Sequence, residues 1–86
     1  MSNINNNQLM SLGFKGVELQ NEFSLYTYGD KGLNGHHLLE LHEQSHETFG
    51  GIYTEQSFYI LGLKLEECPT SEQLDYLVEF MEDNLL

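Results

Sequence analysis

Two histidines with a glutamate between them, in the run His42-Glu43-Gln44-Ser45-His46, are the residues of this chain whose types and spacing could do chemistry. On a helix the histidines would lie one turn apart and hold a divalent metal from one side, while Glu43 would take a proton from a metal-bound water. Glu66 lies downstream as a candidate third ligand, and Asn34-Gly35 could open a helix running to Phe49. No Ser-His-Asp or Cys-His arrangement is supported by spacing. Glu66 beside Glu67 reads as a solvated acidic turn rather than an acid/base pair.

The elements that must position this motif favour a different chemistry. His36 to His42 alternates as a strand, with His37, Leu39 and Leu41 on one face and His36, Leu38, Glu40 and His42 on the other. Glu43 to Glu47 then reads as a polar turn, in which the two histidines share no helical face. The pentapeptide resembles the motif of the zinc peptidases, and that resemblance implies His42, His46 and Glu66 as ligands. It covers these few residues only. The large sheet and second lobe that build the cleft of thermolysin-like enzymes have no counterpart in 86 residues, and four histidines among eleven glutamates can produce the pattern by chance. The expectation is a protein that is not an enzyme and carries no cofactor. A small zinc-binding or zinc-hydrolase domain is the alternative, and His36, His37, His42 and His46 form a solvated cluster open to adventitious metal.

The clearest element runs from Pro69 to Leu86. Leu74, Leu77, Val78, Met81 and Leu85 recur at helical spacing and predict one apolar face, flanked by Tyr76 and Phe80. Thr70 is the expected N-cap with Gln73 reaching back in a capping box, and Glu72 and Asp75 put negative charge near the positive end of the dipole. Glu82 and Asp83 oppose the dipole in the last turn and predict a frayed end. Near the N-terminus, Asn5 as N-cap, Gln8 at the third helical position and an Ile4–Leu9 staple predict a short helix ended by Gly13.

Between the helices the period is two. Val17 and Leu19 alternate before a Gln20-Asn21-Glu22 turn, and the next strand sets Phe23, Leu25 and Thr27 against Ser24, Tyr26 and Tyr28. Gly29 to Gly35 is dense in turn formers and lacks phosphate-binding glycine spacing. Gly50-Gly51 suggests a bulge, Glu55-Gln56-Ser57 a turn, and Phe58 to Leu65 a central strand, with Tyr59, Leu61, Leu63 and Leu65 opposite Phe58 and Ile60. The predicted class is α+β: a short N-terminal helix, an antiparallel meander of about four strands, and a C-terminal helix packed on one face of the sheet. Residues 1–86 form a single domain.

Charge narrows the function. Fourteen acidic residues stand against three lysines and no arginine, a formal net charge of −11. Such a surface repels nucleic acid and anionic membranes and attracts basic proteins, although solubility alone also accounts for it. A hydrophobic content of 40% supports a packed interior. One cysteine, Cys68, cannot form an internal disulfide, and no apolar run approaches the length of a bilayer span, so the expectation is a soluble, cytoplasmic chain.

Helices on one sheet face leave the other to water. Tyr26, Tyr28, Phe58 and Ile60 are the candidate aromatic and apolar patch, bordered by Glu40, Glu43, Glu47 and Glu55 as partner-binding acids. In size, acidity and helix-meander-helix order the chain resembles the small inhibitors encoded by phages and mobile elements, including anti-CRISPR and nucleic-acid-mimicking proteins. The resemblance is one of type, and it implies a stoichiometric inhibitor of a basic nucleic-acid-processing protein, such as a CRISPR effector nuclease. An immunity protein or a generic acidic adaptor would share the same features.

Overall fold

The computed structural model describes residues 4–29 and 37–85. In chain order the elements are α1 (Asn6–Ser11), β1 (Lys15–Leu19), β2 (Phe23–Tyr28), β3 (Leu39–Thr48), β4 (Gly51–Ile60), β5 (Leu63–Lys64) and α2 (Ser71–Leu85). The five strands form one antiparallel meander in sequential order, so the class is α+β with one strand more than the sequence predicts. Most of the predicted Gly29–Gly35 loop, and His36, lie outside the described residues.

Both helices begin as their sequences dictate. The Asn5 side chain accepts from the Asn7 amide at 2.6 Å, and Gly13, at a φ of 99°, turns the chain so that the Phe14 amide donates to the Leu9 carbonyl at 3.0 Å. At α2 the capping box is closed in both directions. The Gln73 amide donates to Thr70 Oγ1 at 3.2 Å, and the Thr70 amide to Gln73 Oε1 at 2.9 Å. Gln8 departs from its expected capping place and ties the two helices together: its amide nitrogen donates to the Ser71 carbonyl (2.7 Å) and to Asp75 Oδ1 (2.9 Å), and Ser71 Oγ donates to its Oε1 (2.6 Å). The acidic last turn of α2 holds its helical form through Leu85, with Asn84 Nδ2 donating to the Phe80 carbonyl at 2.8 Å.

Two predicted turns are strand instead, and one predicted strand is broken. Glu43–Glu47 lies inside β3 and Glu55–Ser57 inside β4; the two strands pair without interruption from Leu39↔Ile60 to Thr48↔Gly51 and turn at Phe49-Gly50. The outer half of this hairpin is exposed on both faces, Ile52 and Tyr53 included, so Glu43–Glu47 and Glu55–Ser57 have the polar composition of turns although they are strand. The predicted single strand Phe58–Leu65 is divided at Leu61-Gly62. Both residues take positive φ, 50° and 86°, as a two-residue hairpin turn between right-twisted strands requires.

Register sets the two faces. Tyr26, Leu41 and Phe58 form one cross-strand row, and Tyr28, Leu39 and Ile60 the next. These rows join Leu9, Phe14 and the α2 residues Leu74, Val78 and Met81 in one apolar cluster, with Leu77 packed against it. The Phe14 and Tyr28 rings lie 5.3 Å apart in a tilted contact. Gly16 faces Tyr26, and a methyl group there would sit 2.8 Å from the tyrosine ring, so this position must be glycine for β1 to pass beneath it. Gln56 anchors the N-terminal segment, accepting from the Ile4 amide at 2.9 Å and donating to the Ile4 carbonyl at 3.1 Å.

Candidate protein-interaction surface

The histidine-glutamate motif lies on a strand, not a helix. His42 and His46 both belong to β3, and four residues of extended chain separate them by about 13 Å, beyond reach of a shared metal. Glu43 points to the opposite face, where Gln56 Nε2 donates to its Oε2 at 2.9 Å, and Glu66 follows β5 on an exposed bend. The zinc-hydrolase geometry is not formed. Among the described residues no three His, Cys, Asp or Glu side chains are grouped to hold a metal. His42 instead lies against Tyr59 in a tilted ring contact at 4.2 Å, meets the edge of Phe23 at 5.7 Å, and places Nε2 3.2 Å from Glu40 Oε1, while His46 stacks on Tyr53.

The predicted apolar patch is the core, which corrects the sequence reading. Tyr26, Tyr28 and Phe58 are buried and Ile60 is partly buried beneath the helices, because the row set by Leu39 and Leu41 carries them to that side. The four accompanying acids divide between the faces. Glu43 and Glu47 share the helix-covered side of the sheet, and Glu40 and Glu55 the open side, so they do not border one patch. Burial, and then the Glu82 carboxylate, push the Tyr28 hydroxyl above its ordinary pKa; burial and Glu43 do the same for Tyr26. Burial also raises the Cys68 thiol, which keeps it in the unreactive protonated form at neutral pH.

What the fold does bring together is an acidic ridge on α2. Glu72, Asp75, Glu79, Glu82 and Asp83 are exposed along α2, on its flank and outer side, over a length of about 16 Å, and Glu66 and Glu67 precede them on the connecting bend. No basic residue interrupts the stretch. Two of its carboxylates are held from below, Asp75 by the Gln8 amide at 2.9 Å and Glu82 by the Tyr28 hydroxyl at 3.3 Å. Beside the ridge, Tyr76 and Phe80 stand one turn apart and are 66% and 60% exposed. Sequence reasoning places these two rings at the border of the apolar stripe. The usable signal was angular: at ~100° per residue Tyr76 falls about 160° from Leu74.

Among the described residues no helix covers the opposite face of the sheet. Val17, Leu25, His42 and Ser57 form one row across it and Leu19, Phe23, Gln44 and Glu55 another, with Val17 and Leu19 about half exposed. The buried residues of both helices join the other face. No helix among the described residues is long and apolar enough to cross a membrane. A comparison with family models gives no match to this chain, and neither do comparisons with curated proteins and with solved structures.

Proposed function

We propose that the protein acts by stoichiometric binding, with the α2 ridge engaging a basic, nucleic-acid-processing protein and occupying the groove in which that partner holds DNA or RNA. The observation that carries this is the pairing of a one-sign ridge with two exposed aromatic rings on one rigid helix. Carboxylates spaced along a rod can meet the lysines and arginines that contact phosphates without matching any base sequence. They speed encounter more than they tighten the complex, and the desolvated aromatic side chains supply most of the anchoring. Tyr76 and Phe80 have that role here. The last turn of α2 supports the same assignment, since Asp83 works against the helix dipole and stability alone would favour lysine there.

The test is a pair of variants. Glu72→Gln, Asp75→Asn, Glu79→Gln and Asp83→Asn together should slow association with the partner and flatten its salt dependence. Tyr76→Ala with Phe80→Ala should leave the association rate nearly unchanged and raise the dissociation rate. Binding unaffected by both sets would refute the assignment to α2.

A further inference from the structure

We infer that the bare sheet face is a dimer interface whose occupant is a second copy of this chain. Charge selects the occupant. The chain carries a net charge of −11, yet the fixed charges that the register places on this face are Lys15 and Lys64 against Glu40 and Glu55, which cancel. Two of the three lysines of the chain are spent here. Two copies meeting face to face therefore oppose neutral surfaces and keep their acidic helices apart, whereas approach through α2 would set like charges against one another.

The area is of the order a small dimer interface needs. β1 and β2 contribute five and six residues and β3 and β4 ten each. At ~3.3 Å per residue and ~4.8 Å between strands this is on the order of 500 Å² in projection, and side-chain relief brings the accessible area toward the ~800 Å² per partner of a standard interface. Its middle is apolar and aromatic, with Val17, Leu25, Phe23 and Tyr59 around the His42 ring. Two such faces would pack as an aligned sandwich. The dimer leaves both α2 ridges outward on opposite sides, so it would engage basic partners bivalently.

Salt separates this claim from the function proposed above. Screening weakens attraction to a basic partner but relieves repulsion between two copies of an acidic chain. Sedimentation velocity of the full chain, from low micromolar to several hundred micromolar, in about 0.05 M and about 0.5 M sodium chloride is the experiment. The expected species has twice the 9.9 kDa mass of the chain, and its midpoint of assembly moves to lower protein concentration in high salt by roughly tenfold. Val17→Asp and Leu19→Asp, each at a half-exposed position, are expected to remain monomeric throughout with an unchanged circular dichroism spectrum. A monomer at every concentration and both salts would overturn the inference, as would a dimer that salt weakens or one that survives both substitutions.

Discussion

Phe58→Ala and Val17→Asp, compared side by side, separate the covered face of the sheet from the bare one. Phe58 is 0% exposed and lies between Leu41 and the apolar face of α2, where the void left by the ring cannot fill with water. Truncation of such a phenylalanine costs ~3–5 kcal/mol, set against the ~4–13 kcal/mol expected of a chain this size. With a urea dependence of about 1 kcal/mol per molar, the midpoint should fall by roughly 3–5 M. Val17 is 54% exposed on the other face, with open solvent above it. Its replacement loses strand propensity and little burial, so the cost should stay within ~1 kcal/mol, a midpoint shift of about 1 M or less. The assay is urea unfolding followed by circular dichroism at concentrations low enough to keep the chain monomeric. Equal losses for the two variants, or a larger one for Val17→Asp, would mean that the helices cover the other face.

Three further outcomes follow from the same structure. Gly16→Ala should destabilise by ~1–3 kcal/mol in urea unfolding, because its methyl group meets the buried Tyr26 ring at 2.8 Å; an unchanged midpoint would show that the ring moves aside freely. Tyr28 is held above its ordinary value of 10.0 by burial and Glu82, so the folded state binds that proton more tightly than the unfolded one. The stabilisation is full below about pH 10 and is lost as pH rises through the folded-state value, and Tyr26→Phe with Tyr28→Phe should flatten the alkaline fall in the urea midpoint. An equally steep fall in that variant would contradict the linkage. Asp83→Lys should raise stability by ~0.3–1 kcal/mol by relieving the unfavourable charge at the α2 terminus while slowing partner association; a loss of stability would remove the dipole argument.

Local signals carried much of the fold into the sequence. Thr70 with Gln73, Asn5 and Gly13 each act over a few residues, and each marks the boundary or cap that the structure shows. The strand faces depended on something less local. Alternation showed that Tyr26 and Tyr28 oppose Phe23 and Leu25, but both sets are apolar, and only register with Leu39, Leu41 and the helices decides which is buried. The β3–β4 hairpin was obscured for a related reason: its outer half is wet on both sides, so Glu43–Glu47 lacks the alternation that marks a half-buried strand. The acids of α2 were legible in the sequence as charges near the helix ends, whereas the expected partner-binding acids, Glu40, Glu43, Glu47 and Glu55, lie on the sheet. The exposure of Tyr76 and Phe80 was legible only as their angular distance from Leu74 and Val78, where the core is centred.

The central claim is tested most directly by parallel capture from a host lysate in low salt, using the wild-type chain and the Glu72→Gln, Asp75→Asn, Glu79→Gln, Asp83→Asn variant as baits. The bound proteins are identified by mass spectrometry and the wild-type complex is titrated with nucleic acid. The expected result is a basic nucleic-acid-binding protein held in fixed stoichiometry by the wild type, lost from the variant, and displaced by its own nucleic acid. Recovery of no such protein, or equal recovery on both baits, would contradict the account.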